Sequence, residues 1–471
     1  MPLQIRRFPV AVFSGVLFLS GLLPGSSATL LAAPAIPGAP SPICLTDGQV
    51  EDLQVVNGTL FLAGRFTHVR PPGALPGDPS EVARKWFAAC NAATGAVLAW
   101  DPQIDCVGGT GPCTNARGQT IALAPGGTAL YLGGKFDQVG GATQRHATKV
   151  ALATAVRDTA FVPAPNDRVQ RIVVAPDGAR VYIGGNFTGV GGCAPTPCHS
   201  FLAAVDPASG AAVAAFNPSI TTADSSFRTV YSMVFNGDAD VLYIGGQFDT
   251  VNGASRTSLA AIDPATGTQT LAFGPRLSDT NPEDGYVQIF DLQIDDDWVY
   301  VCGDWWATGD VGDMHNQRNV NRFHPITGDV DSDFWIGTDG GVQACRIDPG
   351  SGVLFAGGHF DCVRAWTNST TPVDPAPAQC GTDPDFHGTF QRDQFALRLR
   401  DGALLPWNPD TGGIGGTWAM AVVPGTLFTG GELTWPRTGT ATHTDVLKFI
   451  LPLFADDFES SDLARWSAAF L

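Results

Sequence analysis

The sequence predicts an all-β fold, a seven-bladed β-propeller of four-stranded antiparallel blades. Three observations carry the prediction. First, a β-like run ending in a doublet of small residues recurs seven times. The copies are LFLAGRF (60–66), LYLGGKF (130–136), VYIGGNF (181–187), LYIGGQF (242–248), VYVCGDW (299–305), LFAGGHF (354–360) and LFTGGEL (427–433). They recur about every 61 residues, and a period of that kind marks an array whose units bury their cores only by stacking. Second, each copy holds several short alternating runs split by turn signals. Third, helical segments of useful length are missing between them. Closing such units into a ring hides most strand edges from aggregation.

In chain order, the N-terminus (1–28) reads as a secretion signal. Arg6 and Arg7 form a basic start, Pro9 to Leu23 is a short apolar stretch broken by Gly and Pro, and Ser26-Ser27-Ala28 offers small residues for cleavage. Residues 29–47 read as an Ala/Pro-rich leader, 48–452 as the propeller and 453–471 as a tail; the last unit's fourth strand is not evident, which leaves open that a strand from near Cys44 closes the ring. Within the array, residues 227–275 show one unit clearly. FRTVYSMVF alternates, NGDAD turns, VLYIGGQF is a second strand, TSLAAID a third, PATGT turns and QTLAFGP is a fourth. A strand end without a Cβ lets another backbone approach or permits a bulge. The Phe two places after the doublet (Phe136, Phe187, Phe248 and Phe360) reads as an anchor between neighbouring units.

The combination LYIGGQF…NGASRTSLAAIDPATG…LAF resembles the bacterial delta-60 (kelch-like) repeat propellers, a family of unknown function related to fungal cortical polarity-marker propellers. The resemblance covers about residues 48–452, with Phe, Trp100 or Trp407 where kelch repeats carry their Trp. Ala63, Cys302 and Leu433 depart from the pattern. The tail LFADDFESSDLARWS is similar to DGFESGD-type ends of secreted bacterial proteins, with Asp457 where those have Gly. The resemblance implies extracellular or surface placement and a binding role, and supplies no catalytic residues.

The net charge of −18 argues against nucleic acid or an anionic membrane as partner. Part of it is turn chemistry, since Asp side chains bond backbone amides two residues on. No second long apolar stretch follows the signal, so no membrane span is expected after its removal. Ten cysteines in an exported chain favour disulfides. Cys106/Cys113, Cys193/Cys198 and Cys362/Cys380 bracket loops, Cys302/Cys345 sit on strand-like runs of adjacent units, and Cys44/Cys90 remain.

Candidate site residues come from irregular copies. The fifth replaces Phe with Trp305, adds Trp306 and continues through Asp310, Asp313, His315 and Asn316. Paired Trp beside acids and amides makes a carbohydrate platform, with aromatic faces under sugar C–H groups. The plainer reading makes Trp305 the anchor and Trp306 a loop cover. The insertion 364–390 adds Trp366, Asp383, Asp385 and His387. Asp329, Asp331 and Asp333 form a weak calcium candidate, because Phe334 and Gly340 stand where an EF-hand needs Gly and Glu. No other cofactor is expected. An arginine recurring before the third strand (Arg84, Arg145, Arg256, Arg318, Arg392) reads as architecture. No HExxH, GxSxG, P-loop or dinucleotide motif is present. The expectation is a secreted or cell-surface monomer that binds glycan or protein without catalysis. The alternatives are a glycan hydrolase or lyase with carboxylates at the channel mouth, and a structural envelope protein.

Overall fold

Each doublet run forms the middle strand of an antiparallel sheet. The structure, a computed structural model, describes residues 39–107, 113–192, 199–222, 229–278, 286–305, 307–310, 313–315, 318–366, 380, 388–434 and 444–451. All of them belong to one unit, Pro34–Leu471. The signal region, Cys193, Cys198, Trp306, Asn316, Asp383, Asp385, His387 and the tail lie outside the described residues.

Alternating runs and tight turns build the sheets. The first joins Val50–Val56, Thr59–Gly64 and Phe87–Asn91. Its hairpin turns at Asn57 and Gly58, both at positive φ (48° and 73°), as an Asn-Gly turn requires. The second joins Arg117–Leu123, Ala129–Lys135 and Ala147–Ala151. The third joins Val169–Val174, Val181–Gly185 and Leu202–Val205. The fourth joins Thr229–Phe235, Leu242–Gln247 and Leu259–Ile262. The fifth joins Gln288–Ile294, Val299–Asp304 and Val320–Phe323. The sixth joins Val342–Asp348, Val353–Gly358 and Gln394–Arg398. The seventh joins Gly412–Val423, Thr426–Thr434 and Thr444–Ile450. The first strand of each sheet packs on the first strand of the next, and that of the seventh on that of the first. This cyclic order of antiparallel sheets around an axis is a β-propeller arrangement.

The ring is closed from the N-terminal side. Ser41–Thr46 lies within the stretch expected as a leader, yet it is a strand paired to Thr444–Ile450. Ile43, Cys44 and Leu45 are buried, so this strand adds apolar surface that a solvated leader would waste. The Cys44–Cys90 disulfide ties it to the first sheet. Cys106–Cys113, Cys302–Cys345 and Cys362–Cys380 are also bonded as the sequence suggests.

The expected fourth strand is reduced in six sheets to a single antiparallel bridge, such as Cys90↔Val97 and Val150↔Arg157. Beyond the bridge the chain turns inward to bury an aromatic ring. Trp100, Phe161, Phe216, Phe273, Phe334 and Trp407 meet Phe61, Tyr131, Tyr182, Tyr243, Tyr300 and Phe355 edge-on, with centroids 5.1–6.0 Å apart. Burying those rings outweighs extending the ladder by a few exposed residues. Recurring arginines fasten the turned segment. Arg84 donates to the Leu98 and Trp100 carbonyls, and Arg256 to that of Leu271.

The two glycines of a doublet have separate tasks. A Cβ on the second would strike a backbone carbonyl at the start of its own sheet's first strand, as on Gly185 (2.2 Å from Arg168 O, just before the strand) and Gly246 (2.2 Å from Thr229 O). A Cβ on the first would strike a branched side chain of the next sheet. On Gly184 it would lie 2.9 Å from Val230, and on Gly245 2.5 Å from Ile289. Where Ala63 replaces the first glycine, Gly118 replaces the branched residue of the next sheet. Where Cys302 replaces it, the thiol is bonded to Cys345 of the next sheet. The anchors behave as expected. Phe136, Phe187, Phe248 and Phe360 are buried among side chains of their own and the preceding sheet.

A candidate binding site on the ring axis

Every first strand carries a β-bulge at the same place. The register shifts between Val50 and Asp52, Gly118 and Thr120, Val169 and Arg171, and Val230 and Ser232. It shifts likewise between Ile289 and Asp291, Val342 and Ala344, and Thr417 and Ala419. The doublet glycine opposite supplies the room that the extra residue needs. A bulge re-aims its side chain, and the seven bulged residues are Glu51, Gln119, Gln170, Tyr231, Phe290, Gln343 and Trp418. All seven line one cavity of about 270 Å³. With one residue drawn from each sheet, the cavity lies on the ring axis, at the end where the first strands begin.

The residue after the bulge ties the ring together. Asp52 accepts the Ile121 N–H at 2.8 Å, Thr120 that of Ile172 at 3.3 Å, Ser232 that of Leu292 at 3.0 Å and Asp291 that of Cys345 at 3.1 Å. Each bond crosses to another sheet. Beneath the cavity, Asp291 also takes Arg171 at 3.3 Å and Arg346. Burial works against the Arg346 charge, but Asp291 and Asp52 outweigh it and hold its pKa above the ordinary value. Burial raises the Asp52 carboxyl despite the opposing pull of Arg171 and Arg346.

The cavity is rich in arginine on an acidic chain. Arg65, Arg117, Arg168 and Arg171 line it, with Glu51 as the lining carboxylate. Glu51 is bound by Arg65 at 2.6 Å, Arg117 at 3.5 Å and the Gln119 amide at 2.9 Å. Burial lowers Arg117 to about 10 although Glu51 acts to raise it. Burial also lowers Arg168, whose Nε and Nη2 donate to Asn186 Oδ1 at 3.1 and 3.0 Å. The other side is aromatic. Tyr231 and Phe290 stand 5.4 Å apart, and Phe290 and Trp418 6.5 Å apart. The residue following each doublet is paired level with the start of the first strand, as Lys135 with Arg117 and Asp304 with Gln288, and makes a polar rim of Arg65, Lys135, Asn186, Gln247, Asp304, His359 and Glu432, of which Arg65 lines the cavity itself. Three of these touch first-strand residues of their own sheets: Arg65 meets Glu51, Asn186 meets Gln170, and His359 meets Gln343 at 2.7 Å.

The sequence-derived candidates fall elsewhere. Trp305 is 2% exposed, packs among Tyr243, Leu259 and Phe273 of the fourth sheet, and donates its indole N–H to Thr308 at 2.9 Å. It is the anchor of its sheet and has no face to offer a sugar, which corrects the platform reading for that residue. Asp310, Asp313 and His315 lie on the paired strands Ala307–Asp310 and Asp313–His315. Trp366 ends the Cys362–Trp366 strand opposite Trp335. Both strand sets belong to short three-stranded sheets, separate from the seven doublet sheets, that follow the doublet strands in the chain. Asp331 is ion-paired to Arg322 at 2.6 Å, Asp329 accepts from Thr327, and Asp331 also accepts the Asp333 N–H. These three acids are not gathered around one point. Among the described residues the one ligand-like grouping is Cys106, Cys113 and Asp137, whose cysteines are disulfide-bonded.

The bulged residues escaped sequence reading because no one residue type fills them: Gln stands at three of the seven, and Glu, Tyr, Phe and Trp at the others. A usable signal exists in their near-constant distance ahead of each doublet, and the rim could have been read as the variable position between fixed Gly and Phe.

Comparison of the sequence with models of known families and with curated proteins finds no match. Among solved structures the chain is similar to the computationally designed Ika8 protein, with 10% identity, TM-score 0.44, and coverage of 86% of this chain and 97% of that one. It is also similar to the WD40 β-propeller domain of Doa1, with 12% identity, TM-score 0.45, and coverage of 91% and 99%. Among the described residues no helix is long and apolar enough to cross a membrane.

Proposed function

We propose that the protein is a seven-bladed propeller of the delta-60, kelch-like kind, exported from the cell, that binds glycan or protein without catalysis. Its binding surface is the axial cavity with its polar rim. One observation carries this reading. Positions that the scaffold needs keep one residue type in most sheets, with departures such as Ala63, Cys302 and Trp305 matched by packing or a disulfide, whereas the bulged positions differ in charge, size and aromaticity. Side chains that equivalent scaffold places do not require are available for an asymmetric ligand. Rigid strands hold them, which lowers the ordering cost of binding. The carboxylates at and beside the bulges, Glu51, Asp52 and Asp291, are each engaged by protein donors, which favours recognition over acid–base chemistry. The disulfides fit an oxidising compartment.

Retention on immobilised polysaccharides and secreted proteins tests this. The Phe290→Ala/Trp418→Ala variant should lose what the parent retains. An Asp310→Ala/Asp313→Ala/His315→Ala variant and a Trp366→Ala variant report on the competing location on the short sheets. Loss in either of these, with retention by the axial variant, would move the site to those sheets.

A further inference from the structure

We infer that the axial cavity binds an acidic saccharide, with its carboxylate on Arg168 and its ring against Phe290 and Trp418. The inference rests on the axial-site reading and adds the ligand's chemical class. Charge carries the first part. Arg65 and Arg117 share Glu51, and Arg171 and Arg346 share Asp291. Arg168 has an amide partner, Asn186, and no carboxylate partner. It is a partly buried cation whose hydrogen-bond partner is neutral and on which Glu51 and Asp167 act without direct contact, and an incoming carboxylate supplies the direct ionic partner that it lacks. In the lining and the layer beneath, the rim acids Asp304 and Glu432 aside, five arginines (Arg65, Arg117, Arg168, Arg171, Arg346) face three carboxylates (Glu51, Asp52, Asp291).

Shape and polarity carry the second part. The acidic rim residues Asp304 and Glu432 belong to the fifth and seventh sheets, whose bulged residues are Phe290 and Trp418. The cavity is therefore cationic on the first three sheets and aromatic across the ring. Gln119 and Gln170 line it on the cationic side and Gln288 and Gln343 on the opposite side, each offering both a donor and an acceptor, as neighbouring hydroxyls need. A volume of about 270 Å³ takes a sugar unit more readily than a folded peptide segment. Aromatic faces suit the C–H side of a pyranose.

Calorimetric titration with trigalacturonate and with its carboxyl-reduced counterpart is the test, on the full mature chain, with thermal midpoints to confirm folding. The parent should bind the acid about tenfold or more tightly than the neutral form, the value of one charge-assisted contact. Arg168→Gln should erase that preference and leave neutral binding intact. Trp418→Ala should weaken both ligands alike. Equal affinity for acid and neutral forms, or an Arg168→Gln variant that keeps the preference, would overturn the acidic inference; the axial site itself would stand if Trp418→Ala still weakened both. Binding untouched by either substitution would overturn both readings. Absence of parent binding to either sugar would overturn the acidic-saccharide inference, leaving the axial site to the retention experiment.

Discussion

Val50 of the first sheet closes against Gly430 of the seventh. A Cβ on Gly430 would lie 2.9 Å from Val50 Cγ1. The same contact recurs between Gly184 and Val230 and between Gly245 and Ile289, so the junction across the chain's two ends obeys the rule of the internal junctions. The ring is held by one repeated fit, a branched side chain seated where the neighbouring strand has no side chain, and by the polar bonds that follow each bulge.

Alanine substitution reads that fit directly. Gly184→Ala should cost about 1–3 kcal/mol through overpacking against Val230. Gly185→Ala should cost more, because the Arg168 carbonyl at 2.2 Å is backbone and cannot rotate away. Gly237→Ala, with nothing within 4 Å, should stay within about 0.5 kcal/mol. Denaturation midpoints check the order. A Gly184→Ala/Val230→Ala double variant should show a favourable coupling of about 1 kcal/mol, as the natural Ala63 and Gly118 pairing implies.

The disulfide between the fifth and sixth sheets replaces a glycine contact with a covalent one. Cys302→Ala/Cys345→Ala opens a 43-residue loop and should cost about 2–4 kcal/mol. Thermal unfolding of the variant against the oxidised parent measures it. An unchanged midpoint would mean that packing alone holds this junction.

His146 should make the protein sensitive to mild acid. It is 1% exposed, and burial lowers its pKa to about 4, with Asp167 acting in the opposite direction. A depressed histidine pKa leaves the folded state intact above the unfolded value near 6.5, and stability is lost as pH falls toward about 4. The loss over that window is on the order of 3 kcal/mol. His146→Gln should flatten the dependence of the denaturation midpoint on pH across it.

Trp305 and Trp418 should part company. Trp305→Ala empties a packed junction and should cost about 3–5 kcal/mol while sparing ligand affinity in protein that remains folded. Trp418→Ala removes a half-buried ring at the axis and should do the reverse. Paired melting and binding curves separate the two.

These residues show what the sequence made legible. The doublets were visible because steric need admits almost one solution, glycine, and the same need recurs at each junction. Phe136 and Phe187 were visible as anchors for the same reason. The disulfides Cys106–Cys113 and Cys362–Cys380 followed from short loop spacing. The outer strands were overread, because alternation in AFNP or LAFGP does not reveal that Phe216 and Phe273 turn inward. Trp305 misled because a Trp in a Phe position looks like added chemistry when it is a larger anchor. The axial residues were hidden because a bulge is set by pairing between strands, and Glu51, Tyr231 and Trp418 share nothing in sequence.

The central claim is that side chains raised by the bulges meet the ligand. Hydrogen exchange of the mature chain with and without trigalacturonate tests it most directly, since amides at bulges leave the regular ladder and report local contact. The account predicts ligand-induced protection at 168–172, 288–292 and 416–420, with the short-sheet strands at 307–315 and 362–366 unchanged. Protection confined to those short-sheet strands, with the bulge segments unaltered, would contradict it.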